Sequence, residues 1–303
     1  MIIRLLLHLL LLFLLAPLLP GIIGKTKALF GGRQGPPFLQ HYYNLRKLFG
    51  KGMVISRTTT WLFRTGPLFG ITVPIIGSLF IPFGALEAPF AFNGDMIFVI
   101  YLFALSRFFT ATAALDTGSA FEGMGAAREV TFACLAEPAL FFSLIVMARL
   151  TGSLSLSGML GPGLLAGWHS AGASLLLILV CLFVVLLVEN CRIPFDDPNT
   201  HLELTMIHEV MVLDHSGPDL ALIFYGAAMK LLVLGAVVVR VAIPVNLENL
   251  PLDLGVFILG TIGLAVLIGV TESIMARLQL PRIPQFLIGT ILISFFALIM
   301  LLR

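Results

Sequence analysis

Apolar stretches of membrane-spanning length recur along the whole of this chain and leave few folds open. Windows near residues 2–23, 67–86, 96–115, 130–150, 170–190, 221–243, 254–275 and 283–302 are predominantly apolar. About 20 such residues in a helix cross a hydrocarbon core roughly 30 Å thick. The runs are continuous rather than alternating, which speaks against a membrane β-barrel. The expected fold class is all-α: a polytopic membrane protein with about eight transmembrane helices, forming one integral-membrane domain over residues 1–303. Composition agrees, since 59% of the residues are hydrophobic and 11% charged, well away from a soluble domain. The first run resembles a signal peptide in composition, but no small-x-small cleavage site precedes Gly21, so it is expected to be a retained span.

Charge sits unevenly on this apolar frame. Lys25, Lys27, Arg33, Arg46, Lys47, Lys51, Arg57 and Arg64 follow the first span. Arg128, Arg192, Arg277 and Arg282 fall in later loops of the same side, and the opposite side has only Arg4, Arg149, Arg240 and Arg303 near span ends. The excess of Lys and Arg marks the cytoplasmic side, which puts both termini outside. The segment 24–65 exceeds a turn. Its stretch His41 to Phe49 pairs an apolar, aromatic face with basic residues, the pattern of an interfacial amphipathic helix. Attraction to anionic lipid is one use for it, and docking of a soluble partner is the other. Basic residues sort by membrane side rather than with stacking aromatics, which argues against nucleic acid as a partner.

Ionisable residues in or beside spans are the functional candidates, because a charge at mid-bilayer costs roughly 2.5–3.5 kcal/mol on insertion scales. Arg107, Glu137, Lys230 and Glu272 lie within or near expected spans, and Glu189 closes the fifth. Lys230 therefore needs an acidic partner, for which Glu189 is the candidate. Glu122 and Glu129 are seven apart and would share a helix face if the fourth span began early. Gly123 and Gly125 argue for a loop over 116–129 instead. The segment after Glu189 carries Asp196, Asp197, Glu203, His208 and Glu209, which reads as a chain of acids and imidazoles for protons; the plain alternative is a polar loop helix. His201, His208 and His215 recur every seven residues and would follow one helix face. They lack the i, i+4 spacing of helical metal ligands, so no metal is expected. Cys134, Cys181 and Cys191 have no paired spacing and are expected to be free thiols. Phosphate-binding loops, dinucleotide fingerprints and nucleophile–histidine constellations are not found in the sequence.

Three blocks carry a family resemblance. Gly31-Gly32-Arg33-Gln34-Gly35-Pro36 with the aromatic-basic stretch to Lys47 resembles the first cytoplasmic loop of complex I subunit 1. Gly125-Ala126-Ala127-Arg128-Glu129, with Glu137 after it, resembles an acidic loop and span of that family. Glu189-Asn190-Cys191-Arg192-Ile193-Pro194-Phe195-Asp196 is similar to its Glu-x-x-Arg-x-Pro-Phe-Asp motif. After Asp196 the chain departs from the respiratory form. Asp197-Pro198-Asn199-Thr200-His201-Leu202-Glu203 onward, with Asp214 to Pro218 and Ala276-Arg277-Leu278, resembles the membrane subunits of group 4 NiFe hydrogenases, of the formate hydrogenlyase subunit 4 or hydrogenase-4 component C type.

The resemblance implies a non-catalytic anchoring and proton-coupling subunit beneath a cytoplasmic arm. The arm would comprise a hydrogenase-like large subunit with a NiFe centre and a small subunit with an iron–sulfur cluster, and antiporter-like subunits would adjoin in the bacterial or archaeal cytoplasmic membrane. No cofactor is expected in this chain itself. Arg33, Tyr42, Arg46, Lys47, Arg128 and Arg192 would meet the arm. Glu122, Glu129, Glu137, Glu189, Asp196, Asp197, Glu203, His208, Glu209, Lys230 and Glu272 would populate a proton path. The departure after Asp196 leaves quinone binding open. A quinone-site subunit of a respiratory complex is the alternative, and a stand-alone ion transporter is the alternative of another class, although the halves show no internal repeat.

Overall fold

The computed structural model describes residues 2–84, 86–196, 206–245 and 249–302. Among these the protein is helical, with one isolated bridge between Phe83 and Leu86. The helices are α1 (Ile2–Leu15), α2 (Leu18–Phe30), α3 (Gln40–Phe49), α4 (Trp61–Ser78), α5 (Asp95–Asp116), α6 (Ala120–Thr151), α7 (Leu156–Met159), α8 (Gly163–Glu189), α9 (Gly217–Ala242), α10 (Leu250–Ile274) and α11 (Arg282–Leu302). A 3-10 turn, Glu209–Val212, lies between α8 and α9.

Among the described residues seven spans are long and apolar enough to cross a membrane: α1 with α2 taken together, then α5, α6, α8, α9, α10 and α11. The chain is thus a multi-pass α-helical membrane protein. The remaining expected span, near 67–86, is α4 (Trp61–Ser78), which starts earlier and stops earlier than expected. Its 18 residues include Arg64, Pro67 and Pro74, which hold its composition short of a plain span. Pro67 and Pro74 lie inside the helix rather than at its ends. Each removes one backbone donor, and the freed carbonyl of Gly70 is covered by α9 at Gly226, where a Cβ would come within 2.2 Å of it.

The first span runs seven residues beyond its expected end and breaks at Pro17. Pro17 has no N–H to give to Phe13. The Phe13 carbonyl instead accepts from the Tyr225 hydroxyl at 2.9 Å, and the Leu14 carbonyl accepts from Tyr42. The break is thereby satisfied by side chains from α9 and α3 rather than left bare in lipid. The expected interfacial helix is α3. Leu45 is its buried contact, and Arg46 and Lys47 are exposed.

The largest departure is α6. Residues 120–129, expected to be loop, form its first turns, and Glu122 and Glu129 are helical. Gly125 is present because the helix passes close to the segment before α9. A Cβ there would sit 2.2 Å from Val210 Cγ1 and 2.8 Å from the Ile207 carbonyl oxygen. The expected histidine stripe does not form, since the short 3-10 turn separates His208 from His215. His215 stacks instead on Phe63, ring centroids 3.9 Å apart.

Helix α9 is the centre of the bundle. It touches α1, α2, α3, α4, α8 and α10, which is why nearly the whole run from Leu231 to Val241 is buried. Cross-loop hydrogen bonds sort the connections to two ends. At one end Val54 meets Ser216, Thr60 meets Asp116, Arg128 meets Met206 and the Leu278 amide donates to Pro194. At the other, Gly94 meets Leu154, Leu156 meets Asp95 and Arg240 meets Leu160. The basic loops share the first end, as the Lys and Arg distribution anticipates.

Candidate functional site

Four helices each contribute one charged side chain to a network inside the bundle. Arg107 of α5 donates through Nη1 to Glu137 Oε1 of α6 at 2.7 Å and through Nη2 to Glu189 Oε1 of α8 at 2.6 Å. Lys230 Nζ of α9 holds the other oxygen, Glu189 Oε2, at 2.8 Å, and lies over the Phe103 ring. The pairing of Lys230 with Glu189 is the one anticipated from the sequence. The sequence marks Arg107 only as an in-span charge, and the structure makes it the hub. The signal is the same as for Lys230, an unexplained cation within a span.

The two cations and two carboxylates balance, which is what allows them to be desolvated together. Removing one partner from such a buried set costs about 3–5 kcal/mol, because a lone charge stays behind. Glu137 is the most accessible member, its side chain 31% exposed against 7% for Glu189. A small cavity of about 80 Å³ adjoins the network and reaches Glu129, Asn190, Cys191 and His208. Cys191 Sγ donates to Glu129 Oε2 at 3.3 Å.

A second, larger cavity of about 490 Å³ lies toward the basic end, between α2, α3, the turn after α8 and α9. Its polar wall includes Gln40, His41, Asn44, Arg192, Glu209 and Glu272. Glu272, buried in α10, pairs with Lys27 Nζ at 2.8 Å and with Arg192 Nη1 at 3.5 Å. By sequence Lys27 counts among the loop cations, yet it lies in the last turn of α2.

Asp196 has a different place. Its Oδ2 accepts from the Ile207 and His208 amides at 3.0 and 3.1 Å, and its Oδ1 accepts from Arg277 at 2.9 Å. It therefore ties the turn after α8 to Ile207 and His208 and to the chain after α10. Asp197 and Glu203 lie outside the described residues, as does His201. Glu122 is apart from the network. Its carboxylate accepts from the Asp214 amide at 3.1 Å and ties the start of α6 to the loop before α9.

Of the residues expected to meet a partner, Arg33, Arg46 and Lys47 are exposed at the basic end. Tyr42 and Arg128 are engaged within the chain, Arg128 donating to the Met206 carbonyl at 3.0 Å. Arg192 faces the large cavity and Glu272. Among the described residues no group of three or more His, Cys, Asp or Glu side chains is placed to hold a metal. Burial and the Lys230 charge hold His208 below the ordinary imidazole range, against the upward pull of Glu129 and Asp196. Burial raises the Cys191 thiol well above its ordinary value, with Glu129 and Asp196 adding to the effect.

Comparison with known proteins gives one result throughout. The NADH dehydrogenase family model matches residues 3–303. Hydrogenase-4 component C of Escherichia coli K12 is 35% identical over 272 residues, 88% of this chain and 85% of its own length. Formate hydrogenlyase subunit 4 of the same organism is 32% identical over 283 residues, 91% of each chain. A chain of the membrane-bound sulfane sulfur reductase, an archaeal respiratory membrane complex, shares the fold over 99% of both chains with a TM-score of 0.84 at 22% identity. With nearly the whole chain matched by the family model and two relatives above 30% identity, this protein belongs to the NADH dehydrogenase subunit 1 family, alongside hydrogenase-4 component C and formate hydrogenlyase subunit 4.

Proposed function

We propose that this chain is the membrane-anchoring and proton-coupling subunit of a complex I-like, membrane-bound hydrogenase of the formate hydrogenlyase type. The observation that carries the reading is the network Glu137–Arg107–Glu189–Lys230, which links four membrane helices beside a small inner cavity that shares Asn190, Cys191 and His208 with the larger polar cavity at the basic end. Both oxygens of Glu189 are held by cations. A carboxylate that loses a cation in a low-dielectric site takes up a proton instead. A charge change in a docked redox arm, acting on the loops around Asp196 and His208, would move those cations and switch proton occupancy at Glu189, then at the more exposed Glu137.

The arm would carry the NiFe centre and iron–sulfur clusters and rest on Arg33, Arg46 and Lys47. Antiporter-like subunits would lie alongside in the cytoplasmic membrane of a bacterium or archaeon, with both termini of this chain outside. The names of the relatives and the basic character of one end support these placements. A second reading, a quinone-site subunit, is favoured by one observation: the large cavity combines polar groups with apolar walls such as Ile23, Val212 and Phe224.

Purification of the intact complex by a tag on this chain, followed by metal analysis and gas turnover, tests the reading. Nickel, iron and hydrogen turnover are expected. An intact, active complex that lacks nickel and turns over with bound quinone would replace the hydrogenase assignment with the second reading.

A further inference from the structure

Asn190, Cys191, His208 and Ala227 line both the small inner cavity and the large basic-end cavity. They are the wall between the two. Two chain segments build most of it. The first is the end of α8, where the Cys191 amide donates to Val188 and the Arg192 amide to Leu187. This is a helix stop that needs a left-handed residue, and Cys191 takes that conformation with φ 48° although it is not glycine. That conformation, which costs about 1–3 kcal/mol, leaves the thiol against Glu129 on the inner side. The second segment is 206–208, where the Ile207 and His208 amides are clamped by Asp196.

The backbone of His208 is thus fixed by Asp196. Among the described residues His208 Nε2 is buried without a hydrogen-bond partner, and so is Asn190 Oδ1 in the same wall. Ring nitrogens of His8, His41 and His215 are unpartnered too; what sets His208 apart is that it alone of these lines both cavities. We infer that His208 is the proton-transfer residue of this wall, passing protons between water in the basic-end cavity and the Glu129–Glu189 side. The cavity of about 490 Å³ has room for on the order of 15 waters. The step balances within the ring. The nitrogen without hydrogen takes a proton from cavity water, the other nitrogen releases its proton toward the carboxylates, and rotation of the ring restores the starting tautomer.

The surroundings suit a neutral resting imidazole. On the inner side lie Glu129, Glu189, Arg107 and Lys230. On the outer side lie Lys27, His41, Arg192, Asp196, Glu209 and Glu272. Burial is the main influence lowering the His208 pKa, and Lys230 adds to it. This inference rests on the coupling role proposed above and names the residue through which it operates.

The test uses the whole complex in proteoliposomes, with redox-driven proton movement as the readout. His208→Ala is expected to slow it by at least about tenfold, and added imidazole, small enough for the large cavity, is expected to restore it. The pH optimum of rescue should follow the pKa of the azole supplied. His208→Gln keeps the volume without a transferable proton, and the same loss is expected. Unchanged proton movement in both variants overturns the inference, as does a loss in fully assembled complex that no azole rescues. A wild-type complex that turns over without moving protons overturns the coupling role itself, a separate outcome.

Discussion

Glu189 carries one cation on each oxygen, and that arrangement makes specific demands. Glu189→Gln leaves Arg107 and Lys230 facing each other with only Glu137 to offset them. Assembled complex should fall in thermal stability by about 3–5 kcal/mol, and redox-linked proton movement should drop by at least about tenfold. Adding Lys230→Met to that variant removes the surplus charge, so the double variant should recover part of the stability; strict additivity in a double-mutant cycle would show the pair to be uncoupled. His215 makes a separate pH prediction. Burial lowers its pKa from 6.5 to about 4. Above pH 6.5 it is neutral in both folded and unfolded chains, and its contribution to stability is complete. Between pH 6.5 and 4 only the unfolded chain takes the proton, so stability declines as pH falls, by about 3 kcal/mol in full. Thermal inactivation followed over that range should show the decline, and His215→Phe, which keeps the stack on Phe63, should flatten part of it. An unaltered slope in that variant would assign the effect to other groups, His41 and His208 among them.

At the scale of the element, α6 shows how a glycine misleads. Gly123 and Gly125 look alike in sequence, and both weaken a helix start. Gly125 packs against Val210 and Ile207, whereas a Cβ on Gly123 would meet only Leu115 Cδ2 at 3.5 Å. Gly125→Ala should therefore destabilise by about 1–3 kcal/mol through overpacking. Gly123→Ala should be neutral or stabilise by up to about 1 kcal/mol. Thermal midpoints of the two variants decide this, and equal effects would mean that α6 does not approach the 206–212 segment as described. The break at Pro17 makes a similar point. Its bare carbonyls are satisfied by tyrosines that stand 28 and 212 residues away in sequence, a compensation no local pattern announces.

For the whole molecule, the two ends differ in charge, and an excess of Lys and Arg favours the cytoplasmic side. Lys51→Cys at the basic end should react with an impermeant thiol reagent in inside-out vesicles and resist it in right-side-out ones, with the native cysteines replaced. The reverse pattern would invert the assignment of sides.

The apolar spans, the helix α3 and the sorting of basic loops to one end were legible in the sequence because each depends on local composition and helical period. So was the need of Lys230 for a carboxylate, since an unpaired cation in a span is costly wherever it is placed. The pairing of Arg107 with Glu137 and Glu189 was not legible, because it joins residues 30 and 82 positions apart on three helices. Neither was the wall of Asn190, Cys191 and His208. Hydropathy determined that the chain crosses the membrane, and the placement of Lys and Arg determined which end is basic. Helix packing alone decided which charges meet and where the polar cavities stop, because those depend on how helices from distant parts of the chain are brought side by side.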